Sequence, residues 1–331
     1  MHARCGRLIC ALLCGSFVAA AAPEALAQAY PARPVRLVVP YAPGGPSDIV
    51  GRLLAQSLGD LFGQPMVVEN RAGGSATIGT ASVAKAAPDG YTLLLADIGG
   101  FFVNPYFFKS LPYDARTDFT PISPVVSGAI FLFVNASLPA RDVRELIALA
   151  KSKPGSLTFG SSGAGSFSAH LAPELFKLKH GLDILHVPYK GAGPAMMDVV
   201  AGRISLIMTT GYGTAKPFLD SGKLRALAVT GERRSRAAPD VPTFAEAGSP
   251  LPEINAGGIF GLVGPAGLAR NIVVKLNESL LQALASREVL AKLAALNLEP
   301  MPMAPEAFGG FISAQMDTWA ALLKRMNIKA D

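Results

Sequence analysis

Residues 30–58 read YPARPVRLVVPYAPGGPSDIVGRLLAQSL, and this stretch decides the fold. Its apolar run Val35–Val39 ends at Pro40 and is typical of a strand buried in a parallel sheet. The loop that follows is rich in glycine and proline. Beyond it, apolar residues recur at helical spacing: Ile49, Leu53, Leu54, Leu58 and Leu61. A strand, a glycine-rich loop and a helix in this order predict the first unit of an α/β fold.

The same alternation continues along the chain. Strands are predicted at 66–68 and 91–95, with a short helix over 78–86 between them. The order β-α-β-α-β predicts a doubly wound, mostly parallel sheet. The pattern then restarts with strands predicted at 130–134, 157–159, 184–187, 204–208 and 224–229 and a helix over 143–150. An extended, glycine-rich segment over 255–263 precedes three closing helices at 269–285, 286–296 and 305–326. Trp319, the only tryptophan of the chain, is expected in the core.

Two α/β halves joined by extended segments predict a clamshell whose ligand contacts the loops beyond the carboxyl ends of the strands. A length of 331 residues suits two domains. With 50% hydrophobic and 16% charged residues, the composition excludes a disordered chain. The densest basic stretch, RRSR at 233–236, is too short and too poor in aromatics for nucleic acid recognition. We interpret it as a solvated loop, with docking to a membrane partner as the alternative.

Residues 1–27 have the pattern of a cleavable signal peptide. Arg4 and Arg7 form a basic region, an apolar run follows over 8–22, and small residues at 25 and 27 suit signal peptidase. The apolar run is too short to span a bilayer comfortably, so a membrane anchor is the weaker interpretation. Cleavage is expected after Ala27, with Ala29 as the alternative. The mature protein is therefore expected in the periplasm.

The cysteines support this interpretation of the leader. Cys5, Cys10 and Cys14 all lie inside it, so the mature chain has no thiol to act as a nucleophile. A lipoprotein anchor at Cys14 would follow the bulky Leu13, which fits such a site poorly.

Four glycine-rich loops, at 41–48, 71–77, 161–166 and 189–194, each lie between a strand and a helix. Glycine lets the backbone approach a ligand closely, and the first turn of the next helix presents N–H groups to an anion. Pro46 and Pro194 suit the first helical position, with Gly45 and Gly193 as the caps. Asp48 would then complement the helix dipole rather than contact the ligand. The four loops predict a clamp for a ligand with one or two carboxylates.

No catalytic or cofactor motif accompanies these loops. The chain lacks the Walker sequence, a complete dinucleotide fingerprint, the nucleophile elbow and zinc-binding histidine spacing, so we expect no enzyme, no cofactor and no metal. A hydrolase that uses Ser162 or Ser166 is the weaker alternative, because neither serine has a recognisable base. His170 is expected to have a structural role, with ligand binding as the alternative.

The stretch at 30–58, together with VVENRAGGSATIGT, AAPDGYTLLLA and HVPYKGAGPAMMDVVAG, resembles the Bug family of periplasmic solute-binding proteins. These are the receptors of tripartite tricarboxylate transporters. The resemblance implies a two-domain Venus-flytrap fold, each domain a mostly parallel sheet flanked by helices. Domain 1 would comprise 28–127 plus 253–331, and domain 2 would comprise 128–252. A hinge is expected near 126–129 and 252–258.

In function, the resemblance implies a monomer that captures a small organic carboxylate and delivers it to the membrane subunits of a transporter. A receptor that serves a membrane sensor kinase is the alternative. Carried over by motif, the pocket would take these residues from domain 1: Tyr41, Ala42, Gly44, Gly45, Gly73, Gly74, Ser75, Ala76 and Thr77. From domain 2 it would take Ser161, Ser162, Gly165, Ser166, His170, Tyr189, Gly191 and Pro194.

Asp97 stands where small or hydroxyl residues are usual in the family, directly after the third predicted strand. One interpretation is that its side chain caps the following turn. The other is that it faces the ligand, in which case the ligand would carry a cationic group beside its acid. A second departure is Pro173, which is expected to kink or shorten the helix after Ser166.

Overall fold

The computed structural model describes residues 30–255 and 257–326. Its strands are β1 Val35–Val39, β2 Met66–Asn70, β3 Thr92–Asp97, β4 Phe119–Gly128, β5 Phe131–Asn135, β6 Leu157–Ser161, β7 Ile184–Pro188, β8 Leu206–Thr209, β9 Leu224–Val229, β10 Gly258–Pro265 and β11 Glu299–Pro300. Its α-helices are α1 Pro46–Phe62, α2 Thr77–Ala84, α3 Ile98–Phe107, α4 Val143–Ser152, α5 Ala172–His180, α6 Ala192–Val200, α7 Tyr212–Asp220, α8 Arg270–Ala285, α9 Arg287–Ala295 and α10 Pro305–Met326.

The strands form two sheets, and we call each sheet with its helices a lobe. Lobe 1 contains the sheet β11-β4-β10-β3-β1-β2, and lobe 2 contains the sheet β7-β6-β8-β5-β9. The two-domain α/β architecture predicted from the sequence is therefore confirmed. The exact domain bounds stay a prediction. The chain leaves lobe 1 after β4, which ends at Gly128, and returns to it with β10, which begins at Gly258.

The prediction of mostly parallel sheets is wrong, because both sheets are mixed. In lobe 1, β1 runs parallel to β2 and β3, whereas β10 runs antiparallel to β3 and β4. In lobe 2, β6 runs parallel to β7 and β8, whereas β5 runs antiparallel to β8 and β9. The antiparallel pairing in lobe 1 follows from the connections between lobes. The chain leaves along β4 and returns along β10, and these two strands pair with each other.

The opening strand and helix follow the sequence pattern closely. β1 is buried at every position except Arg36. Helix α1 begins at Pro46 after the N-cap Gly45, as predicted, and ends at Gly63, whose φ of 62° is the left-handed conformation that glycine adopts readily. Its apolar stripe packs against the sheet, which leaves the N-terminus of the helix at the carboxyl end of β1.

Two elements that the sequence did not predict lie next to the predicted ligand-binding loops. Helix α3 starts at the N-cap Asp97 and is buried along most of its length despite Pro105 in its last turn. A π-helical turn, Phe167–Leu171, separates the 161–166 loop from α5. Pro173 stands in the first turn of α5, so the predicted break in this helix is confirmed. Trp319 is 4% exposed, which confirms its place in the core.

The predicted signal peptide at residues 1–27 and its cysteines lie outside the described residues. Among the helices of the described ranges, none has the combination of length and apolarity that a bilayer-crossing segment needs.

Candidate functional site

The four predicted loops meet where the two lobes face each other. The backbone N–H of Ala42 in lobe 1 donates to the carbonyl of Lys190 in lobe 2 across 2.8 Å. A second contact is so close that a Cβ added to Gly163 would lie 2.8 Å from the Cα of Ser75. Glycine is required there because any side chain would collide with the backbone of the other lobe.

One cavity at this junction, of about 480 Å³, lies at the ends of two helices, and we call it the helix-end compartment. It is lined by Ala42, Pro43, Gly44, Gly45, Pro46, Ala192, Gly193, Pro194, Met196, Met197, Thr209, Thr214 and Phe218. None of these lining residues carries a charge. The N-terminal turns of α1 and α6 both contribute to the wall, so the positive dipole ends of two helices lie beside one space.

The start of α6 differs from the sequence prediction. The helix begins at Ala192, preceded by Gly191, and not at Pro194 with Gly193 as the cap. Gly193 instead lies so close to lobe 1 that a Cβ there would be 2.8 Å from the carbonyl oxygen of Pro43. The two helix ends thus approach each other through glycine, proline and alanine residues.

A second cavity, of about 610 Å³, lies on the other side of Ala42 and Pro194, and we call it the hydroxyl compartment. Its lining is Ala42, Gly73, Gly74, Ser75, Ala76, Ser162, Gly163, Pro188, Tyr189, Lys190 and Pro194. The hydroxyl of Tyr189 donates to Asp198 across 2.6 Å. Burial and this bond to Asp198 raise the pKa of Tyr189 to about 12, so the phenol remains protonated.

The structure brings ten of the eighteen sequence-predicted pocket residues into the walls of these compartments. They are Ala42, Gly44, Gly45, Gly73, Gly74, Ser75, Ala76, Ser162, Tyr189 and Pro194. The other eight do not line them: Tyr41, Thr77, Asp97, Ser161, Gly165, Ser166, His170 and Gly191. Most of this second group lies beneath the loops or in direct contact between the lobes.

The 41–48 loop is held by half-buried polar contacts. Asn70, at the end of β2, donates to the carbonyl of Tyr41 and to the Asp48 carboxylate, each across 3.0 Å. Asp48 also accepts the N–H of Gly44 and forms an ion pair with Arg52. Burial alone would raise the pKa of Asp48, but these hydrogen bonds outweigh it and lower the pKa. Asp48 therefore fixes the loop and stays ionised.

The 161–166 loop rests on two histidines. Ser161, which is fully buried, lies 2.6 Å from Nε2 of His186, and its hydroxyl accepts the N–H of Gly163. Nδ1 of His170 accepts the N–H of Gly165 across 3.0 Å, so the proton of this imidazole is on Nε2. Burial lowers the pKa of His170 to about 3, with His186 and Lys177 adding to the effect. His170 is thus a neutral support for the loop.

Asp97 caps α3, as the first interpretation of the sequence expected. Its carboxylate accepts the N–H of Gly99 across 3.1 Å, and the nearby backbone of Phe167 and Gly100 also favours its ionised form. Burial raises the pKa of Asp97 to about 6 against these effects. Burial, together with the charge of Asp97, also raises the pKa of the neighbouring Tyr41 well above 10.0. The N-cap bond to Gly99 favours capping over ligand contact.

Twelve lining residues were not among the individually predicted pocket residues. Six of them lie within the four predicted loops: Pro43, Pro46, Gly163, Lys190, Ala192 and Gly193. The other six lie outside those loops: Pro188, Met196, Met197, Thr209, Thr214 and Phe218. Thr209 ends β8 at the carboxyl edge of its sheet, so the rule that placed the other loops at the cleft also applied to it. Met196, Met197 and Phe218 give no such signal, because apolar residues at helical spacing usually indicate core.

Comparison with known proteins agrees with this geometry. The family described as the tripartite tricarboxylate transporter family receptor matches residues 50–328. Protein BugT of Bordetella pertussis is 38% identical over 318 residues, which cover 95% of this chain and 96% of BugT. The chain therefore belongs to the tripartite tricarboxylate transporter receptor family, a family of solute-binding receptors, and the resemblance found in the sequence is confirmed.

Two solved structures with ligands are similar to this chain over nearly its whole length. R. palustris Rpa4515 with adipate has a TM-score of 0.85 and 35% identity, covering 90% of this chain and 99% of Rpa4515. MatC from Rhodopseudomonas palustris with bound malate has a TM-score of 0.82 and 32% identity, covering 88% of this chain and 98% of MatC.

Proposed function

We propose that this receptor captures a small organic carboxylate between its two lobes. The observation that supports this most is the helix-end compartment, where the N-termini of α1 and α6 converge on one cavity. A helix N-terminus favours an anion by about 0.3–1 kcal/mol when exposed and by about 2 kcal/mol when partly buried. The similar proteins that hold adipate and malate support the same class of ligand.

The residues that line the helix-end compartment also indicate which kind of acid it can bind. No charged side chain lines it, so we expect recognition by backbone N–H groups and by the hydroxyls of Thr209 and Thr214. The side chains of Met196, Met197 and Phe218 offer apolar surface to the body of the ligand. An acid with a short carbon chain suits this combination. The pocket residues carried over by motif remain part of this proposal.

The wider role rests on the family. We infer that the protein acts in the periplasm after removal of residues 1–27, as a monomer, and passes its ligand to the membrane subunits of a tripartite transporter. The lobes would be 28–127 plus 253–331 and 128–252, with hinges near 126–129 and 252–258. It binds without a cofactor, metal or nucleic acid, and it does not transform its ligand.

The contact between Ser161 and His186, which lies in a predicted binding loop, is a feature that favours a hydrolase. Three observations weigh against it. Ser161 is fully buried, its hydroxyl already accepts the N–H of Gly163, and Ser166 donates to the carbonyl of Gly163 across 2.9 Å. These bonds shape the loop, and they leave the serine without access to a substrate carbonyl.

A thermal-shift panel of di-, tri- and monocarboxylic, amino and aromatic acids tests the proposal. A ligand at about 100 times its dissociation constant should stabilise the protein by about 2.7 kcal/mol. We expect at least one strong response among the acids and recovery of that acid unchanged after prolonged incubation. A panel without any response would contradict carboxylate capture, and conversion of the bound acid would contradict a receptor without catalysis.

A further inference from the structure

Phe167 crosses from lobe 2 into lobe 1. It is the first residue of the π-helical turn and directly follows the 161–166 loop. Its ring packs edge-on against Trp319 of α10, with 5.0 Å between ring centroids and an interplanar angle of 89°. Phe167 is 5% exposed, so this aromatic side chain from lobe 2 is buried among residues of lobe 1.

The fit around Phe167 is tight on one side. A Cβ added to Gly99 of α3 would lie 2.2 Å from the Cβ of Phe167 and 2.4 Å from its Cγ. Only glycine allows this approach. On its other side Phe167 borders a cavity of about 150 Å³, whose walls include Phe102, Ile259 and Trp319 and also the polar side chains of Glu253 and Gln315.

The backbone of Phe167 is held as well as its ring. Its N–H is close enough to the carboxylate of Asp97, the N-cap of α3, to lower the pKa of that group. One residue of lobe 2 therefore makes both an apolar and a polar contact with lobe 1. It does so immediately beside Ser166, in the loop that packs against lobe 1 near the hydroxyl compartment.

We propose that Phe167 is a positioning residue whose seating in the socket of Gly99 and Trp319 couples the 161–166 loop to lobe 1. When the ring of Phe167 is packed in this socket, which we call seating, the loop is fixed against lobe 1. The stability of this packing therefore sets the affinity for the ligand, although Phe167 does not contact the ligand. This inference rests on the proposed function for its consequence in binding. The seating itself can be measured without a ligand.

Gly99→Ala and Gly100→Ala make a matched pair of variants. Both lie in the first turn of α3, and alanine favours a helix more than glycine does. The nearest atom to a Cβ on Gly100 is 3.7 Å away, whereas a Cβ on Gly99 meets Phe167. Loss of seating in G99A alone would therefore come from the collision with Phe167 and not from the higher helix propensity of alanine.

The single tryptophan of the chain, Trp319, provides the readout. We expect acrylamide to quench its fluorescence about twofold more strongly in G99A and in Phe167→Gly than in the wild type, and G100A to match the wild type. Circular dichroism and the unfolding temperature check that each variant is folded. Wild-type quenching in folded G99A would overturn the proposal, whether or not any acid binds.

Titration with the best acid of the panel tests the consequence for binding. We expect G99A to weaken binding about tenfold and G100A less than twofold. In the F167G background, G99A should cause no further loss, because its effect acts through Phe167. The same tenfold loss in both backgrounds would overturn the coupling. A wild type that binds none of the acids would instead contradict the proposed function. The conclusion from the quenching experiment would not be affected by that result.

Discussion

The backbone N–H of Ala42 and the carbonyl of Lys190 form a hydrogen bond of 2.8 Å that joins the two lobes at the middle of their contact. Ala42 lines both the helix-end compartment and the hydroxyl compartment, so this bond lies at the boundary between them. Because it is made by the backbone, it depends on the close approach of the loops and not on the identity of either side chain. A ligand held in either compartment lies directly beside a contact between the lobes.

Gly165→Ala is expected to weaken ligand binding about tenfold, or about 1.4 kcal/mol. A Cβ at this position would lie 2.1 Å from Oδ1 of Asn104 in lobe 1, a buried atom that no hydrogen-bond donor reaches among the described residues. The added methyl group would separate the lobes beside the binding loop. Isothermal titration calorimetry with the best acid of the panel measures the loss.

Gly181→Ala is the control for backbone strain. Gly181 has a φ of +60°, close to the +76° of Gly165, but a Cβ there meets nothing within 4 Å. Backbone strain should cost both variants about 1 kcal/mol of stability because alanine resists positive φ, and the collision with Asn104 adds a further loss in G165A alone. Only G165A should lose affinity, and an equal loss in G181A would show that strain, not the contact with Asn104, is responsible.

Met197→Asp is expected to weaken binding of an acid about tenfold. Met197 lines the helix-end compartment, so an aspartate there would place a negative charge beside the bound carboxylate. Leu178→Asp adds the same charge to lobe 2 at a residue outside that lining, with an exposure of 53% against 52% for Met197. Calorimetry at two salt concentrations should show a salt-dependent loss in M197D alone. If both variants bind as the wild type does, the acid is bound elsewhere.

Asp97→Asn is expected to change how stability depends on pH. The pKa of the buried Asp97 is raised from 3.8 to about 6, so the folded state holds this proton more tightly than the unfolded chain does. The stabilisation is fully present below about pH 4 and is lost as the pH rises through about 6, by as much as about 3 kcal/mol. Asparagine has no such proton to lose.

Urea unfolding of wild type and D97N at pH 4 and pH 7 measures this difference. The wild type should lose stability relative to D97N between the two values. Other titrating groups are common to both proteins and cancel in the comparison. A constant difference between the two proteins across this range would mean that Asp97 keeps an ordinary pKa.

The sequence predicted the local elements of the site better than the contacts between them. The loops at 41–48 and 161–166 were predicted because their glycines indicate local backbone conformations that favour glycine. Helix α3 was missed because Gly99, Gly100 and Pro105 all disfavour a helix, and it is stabilised instead by burial against α10 and β10. β4 was missed because Pro121 and Pro124 disfavour a strand, and it pairs with β10 through irregular register.

Contacts between the lobes could not be predicted from a single sequence. The pairs Gly99–Phe167 and Gly165–Asn104 depend on how two separately folded sheets meet, and neither has a spacing or composition signal. Asp97 was singled out correctly as unusual, but only its position as the N-cap of α3 separates the two interpretations of its role.

Small-angle scattering is expected to show a smaller radius of gyration when the best acid is added. The extensive contact between the loops of the two lobes suits a ligand-bound arrangement, and separation at β4 and β10 would open it. The scattering mass should match one chain with and without ligand. An unchanged radius at saturation would indicate a rigid pocket, and a doubled mass would contradict the monomer.

A crystal structure of the mature protein with its tightest-binding acid tests carboxylate capture most directly. We expect a carboxylate group in the helix-end compartment, within hydrogen-bond distance of backbone N–H groups or threonine hydroxyls of its wall, and no charged side chain in contact with it. An acid that binds outside the helix-end compartment, or one held by an arginine or lysine side chain, would contradict recognition by the two helix ends.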